Sequence, residues 1–151
     1  MQYPQNANEF RQQLPGSYMG SVQTFETNRS LRDIARTFQS RAPECLSVKV
    51  RTVSQGPGHY QNIVAAYKPT VVVTEKRAEI HLQRQYERGV LTPGKEPEGG
   101  HYMLVADATS LERNKTRIDI YGPKAGADAI IRAISAWAKG ESTGCPDMTK
   151  N

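Results

Sequence analysis

The residues best suited to chemistry in this chain are its two cysteines, Cys45 and Cys145. Each follows the end of a predicted helix, since Cys45 comes just after a helix stop at Pro43 and Cys145 comes just after Gly140. Two thiols in matching positions favour a single disulfide, which is typical of proteins that fold outside the reducing cytosol. Two independent buried thiols in a cytosolic protein are the alternative.

The three histidines offer no recognisable catalytic or metal site. His59, His81 and His101 are far apart in the sequence, and none stands at metal-ligand spacing from a cysteine or carboxylate. A thiol–imidazole dyad with Cys45 lacks a known nucleophile context. Phosphate-binding loops, nucleophile elbows and the HExxH and CxxC motifs are absent. The sequence therefore predicts a non-enzymatic protein with no cofactor or metal.

Tyrosines and basic residues alternate through the central part of the chain. Interleaved rings and cations on a sheet can stack bases and contact phosphates, which makes nucleic-acid binding an alternative function. Tyrosine is also a good strand former, however, and no RRM, KH or OB signature is present. The tyrosines are Tyr60, Tyr67, Tyr86, Tyr102 and Tyr121, and the basic residues are Arg51, Lys68, Arg77, Arg84 and Arg117.

Composition is typical of one domain. The chain has 151 residues, 37% of them hydrophobic, and a net charge of +5 that favours anionic partners. No segment approaches the ~20 apolar residues of a membrane-spanning helix. Residues 1–14 lack the apolar centre of a signal peptide and resemble a polar linker exposed by trimming. If the cysteines are bridged, an export signal, and with it a lipoprotein tether, is expected upstream.

Hydrophobic periodicity predicts the order β–α–β–β–β–β–β–α and an α+β fold, with a single antiparallel sheet of five to seven strands packed by two helices. Pro43 is expected to end the first helix, and Pro69 to mark a bend, bulge or sheet edge. We expect a flexible linker at 1–16, one domain at 17–140, and a tail at 141–151 tethered through Cys145. The predicted strands cover 17–27, 46–52, 61–75, 78–86, 101–108 and 115–121, and the predicted helices cover 31–42 and 127–139.

The strand-then-helix stretch Gly20–Leu46, with this element order, resembles the helix-grip domains of START-like lipid-binding proteins. In those domains a curved antiparallel sheet wraps a long C-terminal helix. The chain is also similar to small lipoproteins of Gram-negative envelopes that carry such a domain after a polar tether. The resemblance covers about residues 17–140 and implies a ligand groove between the last helix and the sheet.

Together these observations predict that the protein is an exported binding or accessory module, located in the periplasm or anchored to the outer membrane. Its partner would be an apolar or anionic small molecule, a lipid or an envelope protein. The long Gly- and Pro-rich loop Arg88–Gly100 is expected to border the groove. The alternatives are a cytosolic nucleic-acid-binding domain and, third, an enzyme with a helix-grip cavity. The predicted site residues are Trp137, Ile134 and Ile130 inside the groove, and Arg84, Arg88 and Lys95 at its rim.

Overall fold

The computed structural model describes residues 3–87 and 96–149, and these two ranges contain three α-helices and six strands. The helices are α1 (Ala7–Gln13), α2 (Leu31–Leu46) and α3 (Asp128–Lys139), and a short 3-10 turn spans Leu14–Gly16. The strands are β1 (Gly20–Thr27), β2 (Lys49–Gly56), β3 (His59–Val73), β4 (Arg77–Glu87), β5 (His101–Glu112) and β6 (Lys115–Pro123).

The strands form one antiparallel sheet in the order β1-β6-β5-β4-β3-β2. The α+β class and the single antiparallel sheet are therefore confirmed. Strands β2 to β6 follow one another as neighbours, whereas β1 pairs with β6 at the far side. Because β1 and β2 lie at opposite edges, the chain between them, which contains α2, has to cross the width of the sheet.

One face of the sheet carries the main core. Strand residues alternate between faces, so Ile80, Leu104 and Ile118 point toward α2 and α3, where Phe38 and Trp137 complete the packing. The other face is covered in part by α1, whose Phe10 packs against Val105. The sheet is thus covered by two long helices on one side and by one short helix on the other.

Helix α2 continues through Pro43 to Leu46, so the predicted end at Pro43 is wrong. A proline inside a helix removes one backbone hydrogen bond and costs about 3 kcal/mol. The residues on either side of Pro43 offset this cost, because Ala42, Cys45 and Leu46 are all buried in the core. The apolar stripe of the helix extends across the proline, and Cys45 lies in its last turn rather than beyond it.

Pro69 lies inside the single long strand β3, opposite Leu82 of β4. The backbone N–H of Tyr67 points toward β2 and donates to Val48 O. Since peptide groups alternate in direction along a strand, position 69 also faces the β2 side. The register places the last β2 partner of β3 at Ala66, so Pro69 faces a local edge where no ladder donor is needed.

The N-terminal segment differs from its prediction. The sequence predicts a flexible linker over residues 1–16, but α1 and the 3-10 turn occupy residues 7–16. Ala7 and Phe10 are buried. Burial of these two side chains against β5 offsets the chain entropy that ordering the segment costs.

The predicted bridge between Cys45 and Cys145 is present. The two Cα atoms are 5.1 Å apart across a sequence separation of 100 residues. Beside it, Arg41 donates to Thr143 O and pairs with Glu44, and the Arg41 guanidinium lies 5.9 Å from the Trp137 ring centroid. The bridge thus joins the end of α2 to the tail that follows α3.

Helix α3 is also fixed by Arg29, which precedes α2. The Arg29 guanidinium donates to the carbonyl oxygens of Trp137 and Ala138, two of the C-terminal carbonyls that a helix leaves without intrahelical partners. A cation at this end also interacts favourably with the helix dipole. Within the described ranges, no helix has the length and apolar character needed to cross a membrane.

We predict that reducing the disulfide lowers the free energy of unfolding by about 2–5 kcal/mol, because the bridge closes a long loop in the unfolded chain. Urea unfolding with and without a thiol reductant measures the difference. A Cys45→Ser/Cys145→Ser double variant is the control and should respond equally in both conditions. Equal stability of the oxidised and reduced wild-type protein would contradict this prediction.

Candidate ligand-binding cleft

The residues predicted to lie inside a groove belong to the closed core. Trp137 is 1% exposed, and Ile130 and Ile134 are buried beside it between α3 and the sheet. Their side chains fill the space where the helix-grip resemblance implies a ligand. Arg88 and Lys95, predicted at the rim, lie outside the described residues.

Arg84 is the one predicted rim residue that the structure describes. It stands opposite His101 in the pairing of β4 with β5. Its guanidinium lies 5.0 Å from the centroid of the Tyr86 ring, and its Nε atom is buried without a hydrogen-bond partner. Arg84 is therefore a positive charge adjacent to the start of β5.

A separate cleft opens where the N-terminal segment meets the start of β5. It has a volume of about 640 Å³ and a mainly apolar wall. Two of its residues are strongly exposed, since Tyr18 is 88% and Met19 56% accessible to solvent. The wall includes Tyr3, Phe10, Leu14, Tyr18, Met19 and Tyr102.

His101 also lines this cleft, and its two ring nitrogens are buried without a hydrogen-bond partner. The ring is held against Tyr3, with 4.4 Å between the ring centroids. A buried polar group left unpaired costs about 1–3 kcal/mol. Among the wall residues that the structure describes, His101 is the one whose buried side-chain polar atoms have no hydrogen-bond partner.

The backbone before His101 is held close to β4. Gly100 has a φ of 106°, and a side chain there would collide with the Arg84 carbonyl oxygen. The Gln83 side chain donates to Glu98 O at 2.7 Å and to Gly100 O at 3.0 Å. These contacts fix the entry of the chain into β5 and with it the position of the His101 ring.

Helix α1, which supplies Phe10 to the cleft wall, begins with a reciprocal cap. The Asn6 side chain accepts from the Glu9 backbone N–H at 2.9 Å and donates to the Glu9 carboxylate at 3.1 Å. This is a variant of the capping box, because the Glu9 carboxylate accepts from the Asn6 side chain and from the Gln5 backbone N–H instead of from the Asn6 backbone N–H. The spacing of Asn6 and Glu9 is the sequence signal that could have predicted α1.

An ionic cluster holds α1 on the sheet. Arg11 makes a bidentate contact with Asp107, with 2.8 Å from Nε to Oδ2 and 2.7 Å from Nη2 to Oδ1. Its Nη2 also lies 2.6 Å from Glu79 Oε1, which His81 Nε2 approaches at 2.7 Å. Asp107 is only 3% exposed. Arg77 Nη1 lies farther away, 3.7 Å from Asp107 Oδ2, so Arg11 is the closer of two cations that compensate this buried charge.

The cluster shifts the acid–base properties of its members. Burial alone raises the pKa of Glu79, but its hydrogen bonds to His81 and Arg11 and the Arg11 charge outweigh burial, so the pKa lies below its ordinary value. Burial lowers the pKa of Arg11, but its bonds to Asp107 and Glu79 outweigh that effect and raise it. Both groups remain charged at neutral pH.

The 3-10 turn and β1 meet at Gly20. A Cβ atom at this position would lie 2.5 Å from Leu14 O and 2.7 Å from Leu14 Cγ. Only glycine allows the two backbone segments to approach this closely. The contact orients the Tyr18–Met19 segment along the cleft.

A search of models of known protein families finds no match to this chain, and a search of curated proteins finds no significant relative.

The five tyrosines considered as a stacking surface lie on two faces of the sheet. Tyr102 and Tyr121 pack beneath α1, whereas Tyr67 packs on the face of α2 and α3. Tyr86 shares the face of Tyr67, because it pairs with Ala65 in the same register. Tyr60 lies at the far end of β3 and is 64% exposed. The tyrosines do not form one continuous platform.

We predict that Gly20→Ala destabilises the protein by about 1–3 kcal/mol, the range for overpacking, because the new methyl group overlaps Leu14. Gly16→Ala is the matched control, since nothing lies within 4 Å of a Cβ there. Thermal unfolding followed by circular dichroism compares the two variants. An equal melting temperature for both would show that the approach of Leu14 is not constrained.

A second prediction concerns acid. Since the folded-state pKa of Glu79 lies below its ordinary 4.5, its stabilising contribution is complete above that pH and lost as the pH falls through the lowered value. Glu79→Gln should therefore be less stable than wild type at pH 7, and the difference should shrink below about pH 4. Melting temperatures from pH 3 to 7 provide the measurement. A difference that is constant with pH would contradict the assignment.

Proposed function

We propose that this protein is an exported binding module that takes an amphipathic, anionic small molecule into the cleft formed by the N-terminal segment and the start of β5. The observation that carries the proposal is the unpartnered His101 imidazole in a wall that is mainly apolar and aromatic. A ligand with an apolar body and an acidic group would cover the exposed Tyr18 and Met19 side chains and provide His101 with a hydrogen-bond partner.

The dimensions of the cleft support a small molecule. Ligand sites in proteins commonly measure about 300–1,000 Å³ and combine apolar walls with a few well-placed polar groups. The volume of about 640 Å³ falls inside this range. The wall is provided by rings and aliphatic groups, and His101 is its main unpaired polar group.

Charge supports an acidic ligand. The Lys124 ammonium lies 5.9 Å from the Tyr18 ring centroid, at one border of the cleft, and its backbone N–H donates to Met19 O. The net charge of +5 adds a general attraction for anions.

The disulfide supports export. A disulfide such as the one between Cys45 and Cys145 is typical of proteins from oxidising compartments. A periplasmic location, with or without a tether to the outer membrane, fits this bridge. The placement of β1 beside β6 and the closing helix α3 support the helix-grip resemblance. The core between α3 and the sheet is filled, so we assign the ligand to the cleft beside the N-terminal segment instead.

Three 12-carbon probes test the proposal: dodecanoate, dodecanol and dodecylamine. We predict that dodecanoate binds roughly tenfold more tightly than dodecanol, because it adds a charge-assisted hydrogen bond, and that dodecylamine binds least. Isothermal titration calorimetry at concentrations below micelle formation measures the three affinities. The matched variant is His101→Phe, which keeps a ring and removes both nitrogens, and it should abolish the preference for dodecanoate over dodecanol.

Controls separate the cleft from the rest of the surface. Lys124→Gln should weaken dodecanoate binding and leave dodecanol binding unchanged. Tyr60→Ala, which removes an exposed ring far from the cleft along β3, should change neither affinity. The proposal fails if no probe binds, or if wild type and His101→Phe bind all three probes equally well.

A further inference from the structure

The outer edge of β2 has chemistry that the cleft does not use. Strand β2 ends the sheet, and β3 is its strand partner in the described part of the chain. We infer that this edge docks an extended acidic segment of a partner protein, which adds to the sheet as a seventh strand. The inference does not rest on the function proposed for the cleft.

The direction of the peptide groups defines the free edge. Val48 O accepts from Tyr67 N–H, so Val48 faces β3. Alternation along the strand then directs the peptide groups of Lys49, Arg51 and Val53 outward. Outward N–H and C=O groups of an edge strand are a template for an added strand.

Two large side chains beside this edge are exposed. Val53 is 52% and Tyr60 64% accessible to solvent. In the register of β2 with β3, Val53 pairs with Asn62 and Gln55 pairs with Tyr60, which makes Val53 and Tyr60 diagonal neighbours on one face. Helix α1 lies on this same face but packs against Val105 on β5, three strands away from β2, so it does not cover Val53 and Tyr60. An apolar side chain of an added strand can therefore pack on both residues.

The charge of the edge selects the partner. Residues 47–62 contain Lys49 and Arg51 and no aspartate or glutamate. Lys49 pairs with Glu87 at 2.8 Å, and that contact is largely exposed and therefore weak. The opposite edge, β1, contains Glu26, which pairs with Lys115 at 3.1 Å, and contains no cation of its own. An acidic strand is thus attracted to β2 in preference to β1.

Charge also argues against a second copy of the chain as the occupant. Pairing of two β2 edges would bring together two lysines and two arginines with no carboxylate from either strand. Like charges across strands are destabilising. Basic residues on a sheet edge are a known protection against self-association, and the same residues attract a strand of opposite charge.

Synthetic eight-residue peptides provide the test. One alternates glutamate with valine, and its matched control alternates lysine with valine. We expect saturable, salt-sensitive binding of the acidic peptide by fluorescence anisotropy and at least tenfold weaker binding of the basic peptide. Amide hydrogen exchange followed by NMR should show new protection at Arg51 and Val53 and none along β1.

Two variants locate the contact. Val53→Pro removes an outward N–H that β3 does not use, so it should reduce acidic-peptide binding at least tenfold with little change in melting temperature, whereas Val53→Thr should bind normally. Arg51→Glu should reverse the preference between the two peptides. This second variant keeps the test valid if the proline substitution unfolds β2.

Four results would overturn the inference: no acidic-peptide binding at millimolar concentration, equal binding of both peptides, new protection on β1, or a dimer that Val53→Pro dissociates in sedimentation experiments. The last result would assign the edge to a second copy. Dodecanoate should not compete with the acidic peptide, which keeps failure of this inference distinct from failure of the proposed cleft function.

Discussion

The rest of the structure depends on one apolar surface, formed by alternate residues of the central strands and covered by α2 and α3. Ile80, Leu82, Leu104 and Ile118 on the strands meet Trp137 of α3 there. Exposure of the apolar stripe of either helix to water would be unfavourable, and so would exposure of the apolar face of the strands. Mutual burial solves both problems, and loss of a buried tryptophan typically costs about 3–5 kcal/mol.

Covalent and polar contacts then fix the geometry of this layer. The hydrogen bonds from Arg29, which precedes α2, fix the end of α3, and the bridge from Cys45 to Cys145 fixes the tail after α3 to the last turn of α2. Dispersion and hydrophobic burial have little directional preference, whereas these contacts depend on particular atoms. They stabilise one arrangement of the helices over others that would bury a similar area.

The opposite face follows a different principle. Its covering helix α1 is short and is attached through the buried side chains of Ala7 and Phe10 and through one ionic cluster, in which Arg11 contacts the buried Asp107. An ion pair of this kind fixes position more than it adds stability, because desolvation offsets much of the attraction. The cleft borders this lightly attached segment. The two binding surfaces that we propose, the cleft and the β2 edge, both lie away from the packed layer of α2 and α3.

The sequence by itself determined the order of the elements from β1 to α3 and the single antiparallel sheet, because periodicity depends on neighbours along the chain. It favoured the Cys45–Cys145 pairing but left two independent thiols as the alternative, and the structure decided for the bridge. The sequence-based prediction missed α1, although the spacing of Asn6 and Glu9 marks its cap. Helix α2 extends beyond Pro43 because Cys45 and Leu46 are buried in the core. The sequence around Pro43 does not indicate this burial. Likewise, only tertiary packing placed Trp137 in the core and left the ring nitrogens of His101 without hydrogen-bond partners. Which face a side chain takes, and whether its polar atoms find partners, depends on contacts between residues far apart in the sequence.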